Sequence, residues 1–317
     1  MKKFVKILFV VAVIMLALLI FLPMVFQSNI EETAKTELNN SLLAKVDFKD
    51  VKLSLISSFP DFKFEINDLS VVGIGDFEND TLASINKMQL ILDLFSVFSG
   101  NEIAIKRIII DDPIVFVKIL KGGKANYDIV PVSDEEEVVE ETEAPGDFVI
   151  KLKDFRINRG IIVYDDMDYD MLAVVQGLDL QFSGDLTEAS TKLDIKTQIA
   201  GLDFDYEGIR YLNSATVEFR GFIDADLENF VFNFLENELL INQFPLEFSG
   251  MFGMPGDDYD LDIQILSPKT EFKHLLSLVP ALYMNDFQEL KTIGEMSFTA
   301  KVKGVYNDNR MPAFDLN

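Results

Sequence analysis

Hydrophobic and polar positions alternate with a period of two along most of the chain from Val46 onward. Clear cases are the stripe of Phe62, Phe64 and Ile66 and the stripe of Met88, Leu90, Leu92 and Leu94. Such segments, separated by Gly, Asn and Asp, are typical of antiparallel strands with one apolar face. We count roughly 18–20 segments of this kind, which predicts a mainly β fold.

The first segment with a different pattern is residues 7–26, which contain no charged residue. In a helix they would span about 30 Å, the thickness of the hydrocarbon core of a bilayer. Lys2, Lys3 and Lys6 precede this run, so we predict a transmembrane anchor over 1–27 with a cytoplasmic N-terminus. The alternative is a cleaved signal peptide. The run is longer than an ordinary signal-peptide core, and no small-x-small cleavage site follows it.

Residues 28–43 have a helical pattern. Ser28 and Glu31 are spaced as in a capping box, and Ile30, Ala34 and Leu38 recur every fourth position. We predict a short amphipathic helix just outside the membrane. It either packs on the first strands or closes the membrane end of the structure that they form.

Three segments interrupt the later alternation. Residues 94–100 form a short helix or an apolar loop, and residues 271–283 form a helix at the rim of the sheet. Residues 134–143 include seven acids in ten positions and predict a disordered linker over 133–147. This linker separates a β segment over 44–132 from a second over 148–317.

The two β segments share a loose internal similarity. IAIKRIIIDDPIVFVKI (103–119) and VIKLKDFRINRGIIVYDD (149–166) have the same order of apolar and charged positions. Each is predicted to be a strand, a charged tight turn and a second strand. A repeated unit of this kind is typical of a sheet that grows by adding neighbours.

Composition limits the classes of function. The formal net charge is −25 with no basic stripe, which argues against nucleic-acid binding. The chain has no Cys and a single histidine, so thiol chemistry and histidine-cluster metal sites are excluded. A fraction of 49% hydrophobic residues is high enough for a folded chain.

Motifs that would indicate catalysis or cofactor binding are incomplete. His274, the histidine that a Ser-His-Asp triad would need, lies on an apolar helical face. Asp166-x-Asp168-x-Asp170 begins like a calcium loop, but Met171 stands where Gly is required. We interpret these three acids as the tip of a hairpin. We predict no enzymatic activity, no cofactor and no metal site.

An ordered series of motifs follows the anchor and the helix. It begins with a strand, a Phe-Pro turn and a second strand over 51–73, and a second block over 85–130 contains Asp-Pro and ends in Gly-x-x-Asn-aromatic. A Pro-punctuated helix over 266–283 and the segment 311–317 come later. This order resembles that of the AsmA-like proteins of the bacterial envelope, whose N-terminal region is similar to the chorein module of bridge-like lipid-transfer proteins.

The resemblance includes one departure, because Tyr127 stands where relatives often have Trp. Residues 311–317 look like the opening of a further repeat of the family, so we expect an N-terminal fragment of a longer protein.

The resemblance implies a long, highly curved antiparallel β-sheet, open along one side, with repeating strand-turn-strand units and a few short rim helices. Its function would be to move phospholipids between envelope membranes through an apolar groove. The expected partners are phospholipid acyl chains, the inner membrane through residues 7–26, and an outer-membrane or envelope partner at the far end. The bulk of the chain would be periplasmic.

Alternating apolar positions in the membrane-proximal strands are the candidates for a lipid path. They are Leu53, Leu55, Phe64, Ile66, Leu90, Leu92, Ile150 and Leu152. The same alternation also suits the closed core of a β-sandwich. The alternative function is therefore an anchored adhesion or outer-membrane assembly factor that conducts no lipid. The two hypotheses differ in whether a second sheet covers the apolar face.

Overall fold

The structure, a computed structural model, describes most of the β region of the chain. The described residues are 31–55, 57–99, 102–131, 147–186, 189–256, 258–278, 293–307 and 309–317. The predicted anchor over 1–27 and all but the last residue of the predicted linker over 133–147 lie outside them. In the described part of the chain, no helix combines the length and the apolar character needed to cross a bilayer.

Strands dominate the described residues. The helices are α1 (31–41), α2 (Leu94–Ser99) and α3 (Phe272–Leu276), with a 3-10 turn at Gly75–Phe77. The strands are β1 (Ala44–Asp47), β2 (Asp50–Ser54), β3 (Phe62–Gly73), β4 (Thr81–Leu92), β5 (Glu102–Ile119), β6 (Asp147–Asp166), β7 (Met171–Ser183), β8 (Ser190–Tyr206), β9 (Ile209–Asp226), β10 (Val231–Ile241), β11 (Phe244–Gly253), β12 (Tyr259–Glu271), β13 (Glu295–Tyr306) and β14 (Ala313–Leu316). The mainly β class is confirmed.

All 14 described strands belong to one sheet. The short strands β1 and β2 both pair with β3, and the order then follows the sequence from β3 to β14. The described strands therefore do not form the two sheets of a sandwich. The described strands are longer than the sequence predicted, reaching 18 residues in β5 and 20 in β6.

The predicted turns inside 103–119 and 149–166 are wrong, because each segment is a single strand. The charged residues expected at the turns instead occupy left-handed backbone positions within the strands, with φ of 50° at Asp112 and 55° at Arg159. Asp and Asn adopt the left-handed conformation more readily than most residues. A charged segment that contains Asp or Asn is therefore compatible with a left-handed residue inside a strand as well as with a turn.

The two similar segments lie side by side and run parallel. The Met167 amide donates to the Ile119 carbonyl at 3.0 Å, so the ends of β5 and β6 coincide. The Arg159 guanidinium binds the Asp112 carboxylate with two hydrogen bonds of 2.7 and 2.9 Å. The prediction of a purely antiparallel sheet is wrong at this pair, since a long connection, not a tight turn, joins two parallel strands.

The chain divides into two compact units. Unit 1 comprises residues 1–111 and 126–150, and unit 2 comprises 112–125 and 151–317. In unit 1, α1 packs along β1 and β2 through polar contacts. The Asn39 side chain donates to the Val46 carbonyl at 2.7 Å and accepts from its amide at 3.0 Å. The Glu31 carboxylate accepts from the Val51 amide at 2.9 Å. The prediction that this helix packs on the first strands is confirmed over 31–41.

In unit 2, strands β6 to β14 form a meander in which each strand pairs with the next. Left-handed residues recur at neighbouring places, including Arg159 in β6 and Gly177 in β7. Near these left-handed residues, the spacing between successive apolar positions of a strand changes from two residues to three. Examples are Val175 and Leu178 in β7 and Ile199 and Leu202 in β8. The extra residue returns the apolar side chains to the same face of the sheet, as a bulge does.

The shorter elements follow the predictions in part. Residues 94–100 contain the helix α2, one of the two predicted possibilities. The rim helix expected over 271–283 is present as α3, which is five residues long, and positions from 279 lie outside the described residues.

Candidate functional site: the apolar face of the sheet

Unit 1 presents a row of apolar residues in register. Leu53 of β2, Phe64 of β3 and Leu90 of β4 are direct cross-strand neighbours. Cross-strand partners share a face of the sheet, so these three side chains lie on one side. In the adjacent rows, Ile66 pairs with Met88 and Leu92 pairs with Phe62. Five of the predicted lipid-path residues, namely Leu53, Phe64, Ile66, Leu90 and Leu92, therefore share one face.

The remaining three predicted residues are placed differently. Leu55 follows the end of β2 and is buried, with 3% of its surface exposed. Leu152 is also buried, but it lies two residues before Asp154, which forms an ion pair with Arg156. Alternate strand residues share a face, so Leu152 faces the side of this ion pair. The backbone of Ile150 lies in β6, and its side chain is outside the described part of the structure.

The opposite face of unit 1 is polar. Glu65 is the cross-strand partner of Gln89, whose amide donates to its carboxylate at 3.4 Å. The Lys63 ammonium lies 3.3 Å from the same carboxylate. Leu90 and Gln89 are thus adjacent in sequence and lie on opposite faces, which makes them a matched pair for experiments.

Unit 2 has an apolar face of its own, which crosses nine strands. One register row from β6 to β14 consists of Phe155, Phe182, Ile195, Gly221, Asn237, Phe248, Ile265, Ala300 and Leu316. The next row from β8 to β14 consists of Leu193, Ile223, Phe234, Gly250, Ile263, Val302 and Phe314. Asn237 is the single polar residue in these two rows.

The row displaced by one residue lies on the other face and is largely charged. From β6 to β11 it consists of Arg156, Gln181, Lys196, Arg220, Glu238 and Glu247. The sheet of unit 2 therefore has one apolar side and one hydrated side. A cavity of about 860 Å³ follows this part of the sheet across six strands, where the apolar residues Leu180, Phe219 and Leu239 alternate with charged ones.

Aromatic side chains form contacts along the apolar face. The rings of Phe219 and Phe248 stack with centroids 5.8 Å apart, and Phe234 meets Phe248 edge to face at 5.4 Å. Phe232 and Phe252 stack at 6.5 Å, close to the ends of β10 and β11. These distances are typical of favourable aromatic pairs. The face is thus a continuous apolar surface in which the contacts between neighbouring rings restrict the side-chain conformations.

Little covers this face within the described residues of unit 2. Its extensive contacts between elements join neighbouring strands of the sheet, and α3 touches β12. The buried cluster is small, consisting of Leu193, Ile223 and Ala225, and most other side chains of the face are half-buried. A half-buried apolar surface that crosses nine strands is far larger than the isolated apolar residues common on soluble proteins.

Groups suited to chemistry are sparse in the described residues. The His274 ring lies 2.9 Å from the Thr270 hydroxyl. Among the described residues, its hydrogen-bond partner is thus a threonine and not the serine or carboxylate of a catalytic triad. Asp166 accepts hydrogen bonds from the Asp168 and Tyr169 amides, so the Asp-rich segment is the hairpin tip that we predicted. No group of three or more acidic or histidine side chains is placed to bind a metal ion in this part of the chain.

One cluster of charges lies at an end of unit 1. The Lys106 ammonium binds the Asp61 carboxylate at 2.7 Å and the Asp93 carboxylate at 2.6 Å. The hydrogen bond from Lys106, helped by the Ser96 amide, holds the pKa of Asp93 below its usual value. The hydrogen bonds to Asp61 and Asp93 raise the pKa of Lys106. We call these three side chains the Lys106 clamp.

A sequence model of the AsmA family matches residues 1–297. The match includes the apolar rows of both units up to β13. The chain belongs to the AsmA family. Comparison with curated protein sequences and with solved structures gave no match.

In this AsmA-family chain, the candidate residues predicted from the sequence end at Leu152, whereas the larger part of the apolar face lies beyond it. The signal was present in the alternation of Phe244, Leu246 and Phe248 and of Leu261 and Ile263. The alignment of these stripes across the sheet depends on the pairing register of the strands. The register could not be predicted from the sequence, because left-handed residues shift the alternation within the strands.

Proposed function

We propose that this protein is a membrane-anchored conduit or scaffold for phospholipids between envelope membranes. The observation that supports the proposal best is the apolar face of unit 2, which crosses nine strands without a covering layer among the described residues. Membership of the AsmA family supports a role in the envelope. In this proposal the sheet is highly curved, and its apolar face is the concave wall of an open groove.

The energetics of lipid transfer explain why such a face is needed. Each methylene of an acyl chain exposed to water costs about 0.8 kcal/mol, so a 16-carbon chain costs roughly 12 kcal/mol. An apolar surface that stays in contact with the chain offsets this cost, while the headgroup remains in water. Nine strands spaced by about 4.8 Å give a surface of about 38 Å measured across the strands of unit 2.

The N-terminal segment would attach the protein to the inner membrane. We propose that residues 7–26 span the bilayer, with Lys2, Lys3 and Lys6 in the cytoplasm and the β region in the periplasm. An outer-membrane or envelope partner would receive lipid at the far end. The groove acts by apolar contact alone, so the proposed protein has no enzymatic activity.

The topology can be tested with reporter fusions after Asn40. We expect alkaline phosphatase fused there to be active in cells, because the enzyme folds only on the periplasmic side. A cytoplasmic reporter at the same position should be inactive. The reverse pattern would show that the orientation deduced from the lysines is wrong.

The lipid path can be tested at Leu90 and Gln89. A photo-crosslinking residue at Leu90 should capture phospholipid in cells, because this side chain shares the apolar row of Leu53 and Phe64. The same residue at Gln89, on the polar face, should capture none. Mass spectrometry of the crosslinked protein identifies the lipid.

The variant Leu90→Asp separates the conduit from a closed core. A carboxylate in an open groove can be hydrated when the groove is empty, yet it opposes a passing acyl chain. We expect a folded protein that has lost lipid transfer. If the apolar face is an ordinary packed core, the same substitution should destabilise the protein by several kcal/mol and no lipid should crosslink at Leu90. That result would refute the conduit.

A further inference from the structure

Two phenylalanines are unusually exposed at one end of unit 1. Phe59, in the loop between β2 and β3, is 69% exposed, and Phe95, in α2 after β4, is 80% exposed. The loops that contain them leave the sheet side by side, because Phe62 at the start of β3 pairs with Leu92 at the end of β4. Two exposed aromatic rings therefore lie at the same end of unit 1.

The Lys106 clamp holds these two loops together. Asp61 lies two residues after Phe59, and Asp93 lies two residues before Phe95. Both carboxylates bind the single ammonium of Lys106, at 2.7 and 2.6 Å. The Ser96 amide also donates to Asp93 at 2.9 Å, which fixes the start of α2. The ion pairs of Lys106 therefore fix the two segments that contain Phe59 and Phe95.

The contacts of α1 show which way its N-terminal end points. Moving from Asn39 to Lys35 to Glu31, the partners on the strands move from Val46 to Asp47 and then to Val51. The helix therefore runs opposite to β1 and β2. Its N-terminal end points towards Ser54 and the loop that contains Phe59.

The distances limit how far a membrane-spanning run over 7–26 could lie from this loop. From Val51 to the loop, β2 rises by about 10–13 Å at 3.3 Å per residue. Only residues 27–30 separate the uncharged run 7–26 from α1, and four residues span at most about 14 Å. If residues 7–26 span a bilayer, its surface is near Phe59 and Phe95.

We infer that Phe59 and Phe95 insert into the interfacial region of the bilayer in which residues 7–26 are anchored. The partner is a lipid surface, and the two rings hold the end of unit 1 against it. Aromatic side chains favour this region, and apolar groups of surface-bound proteins enter it by about 5–10 Å. The inference rests on the anchor of the proposed function and adds a second, separate contact with the membrane.

The natural sequence allows a direct test, because it contains no tryptophan. Phe59→Trp, Phe95→Trp and Ile74→Trp are each introduced into the full chain and reconstituted in phosphatidylcholine vesicles. Ile74 is the matched control, since it is 40% exposed and follows the opposite end of β3, about 40 Å away along the strand. Emission is compared with and without phosphatidylcholine brominated on its acyl chains, and flotation measures binding to the vesicles.

We expect blue-shifted emission that brominated lipid quenches for Phe59→Trp and Phe95→Trp, and no quenching for Ile74→Trp. If the protein floats with the vesicles but all three emissions resist quenching, the inference is wrong while the anchor stands. Blue-shifted but unquenched emission at 59 and 95 would show that protein covers the rings, and it also overturns the inference. If the full chain does not float, the anchor fails and the inference fails with it.

Discussion

Gly221 shows how tightly a single residue is fitted into the apolar face. Its cross-strand neighbour Asn237 is 3% exposed and donates its amide to the Phe248 carbonyl at 3.2 Å. A Cβ on Gly221 would lie 2.2 Å from the Asn237 side-chain oxygen and 2.5 Å from the Phe219 ring. The bulge between Phe234 and Asn237 therefore needs a glycine opposite it.

The variant Gly221→Ala should be destabilised by about 1–3 kcal/mol, because the new methyl group overpacks this site. The control is Gly201→Ala in the neighbouring strand β8, where the nearest atom to the added Cβ is 3.9 Å away. There we expect no loss, or a gain of up to about 1 kcal/mol from the reduced freedom of the unfolded chain. Urea denaturation of both variants decides the point, and equal stabilities would contradict the packing described here.

The left-handed residues show where prediction from sequence stopped. In a regular strand, residues that share a face are two positions apart. Across the left-handed residues Asp112 and Arg159, the spacing is three positions, from Ile110 to Pro113 and from Ile157 to Gly160. Such a gap fits a turn as well as a left-handed residue inside a strand, since Asp and Asn are common in both. The choice depends on whether neighbouring strands have the same shift, and that is a property of the register.

At the scale of elements, the Lys106 clamp joins the loop before β3 to α2. The side chain of Lys106 is 35% exposed, so water screens the ion pairs. We expect Lys106→Met to lower the free energy of unfolding by about 1 kcal/mol at neutral pH. Lys273→Met is the control, because its pair with Glu271 is exposed and should contribute nothing measurable.

The effect of Lys106→Met should depend on pH. The folded pKa of Asp93 is below its ordinary value of 3.8, so this carboxylate stabilises the fold above pH 3.8 and loses its contribution as the pH falls through the folded pKa. The pKa of Lys106 is raised above 10.5, so its contribution is lost as the pH rises through that higher value. Urea denaturation should therefore show a difference between wild type and variant near pH 7 that shrinks below pH 3.8. A difference that is constant down to pH 2 would show that packing, not charge, accounts for it.

The elements were predictable to different degrees. The helix at 31–41 and the strands with clear alternation, such as β3 and β4, follow from the sequence because each pattern reflects a local preference. The parallel pairing of β5 with β6 did not follow, because it joins segments 47 residues apart, as Asp112 and Arg159 are. The candidate lipid-path residues in β2, β3 and β4 share one face, and this placement was predictable because short connections fix the register of these strands. Leu152 was assigned to a stripe that Asp154 and Arg156 do not continue.

At the scale of the whole molecule, the acidic segment 134–143 should be dispensable for folding. Its seven carboxylates cannot be buried without large cost, and its few apolar residues cannot support a core. Deletion should change the free energy of unfolding by no more than about 0.5 kcal/mol, as for surface changes in general. Thermal denaturation of the deletion variant is the measurement, and a large fall in melting temperature would mean that the segment packs on the sheet.

The sequential order of the strands also determines how the sheet can assemble. From β6 to β14, each strand pairs with the one made just before it, so an emerging chain always finds a finished edge to pair with. Assembly can then proceed strand by strand while the remainder of the chain is still emerging. The pairing of β5 with β6 differs, because the connection over 120–146 must close first and loop closure costs more as the loop lengthens. We therefore expect this parallel pair to set the pace of folding, and the later strands to follow it in order.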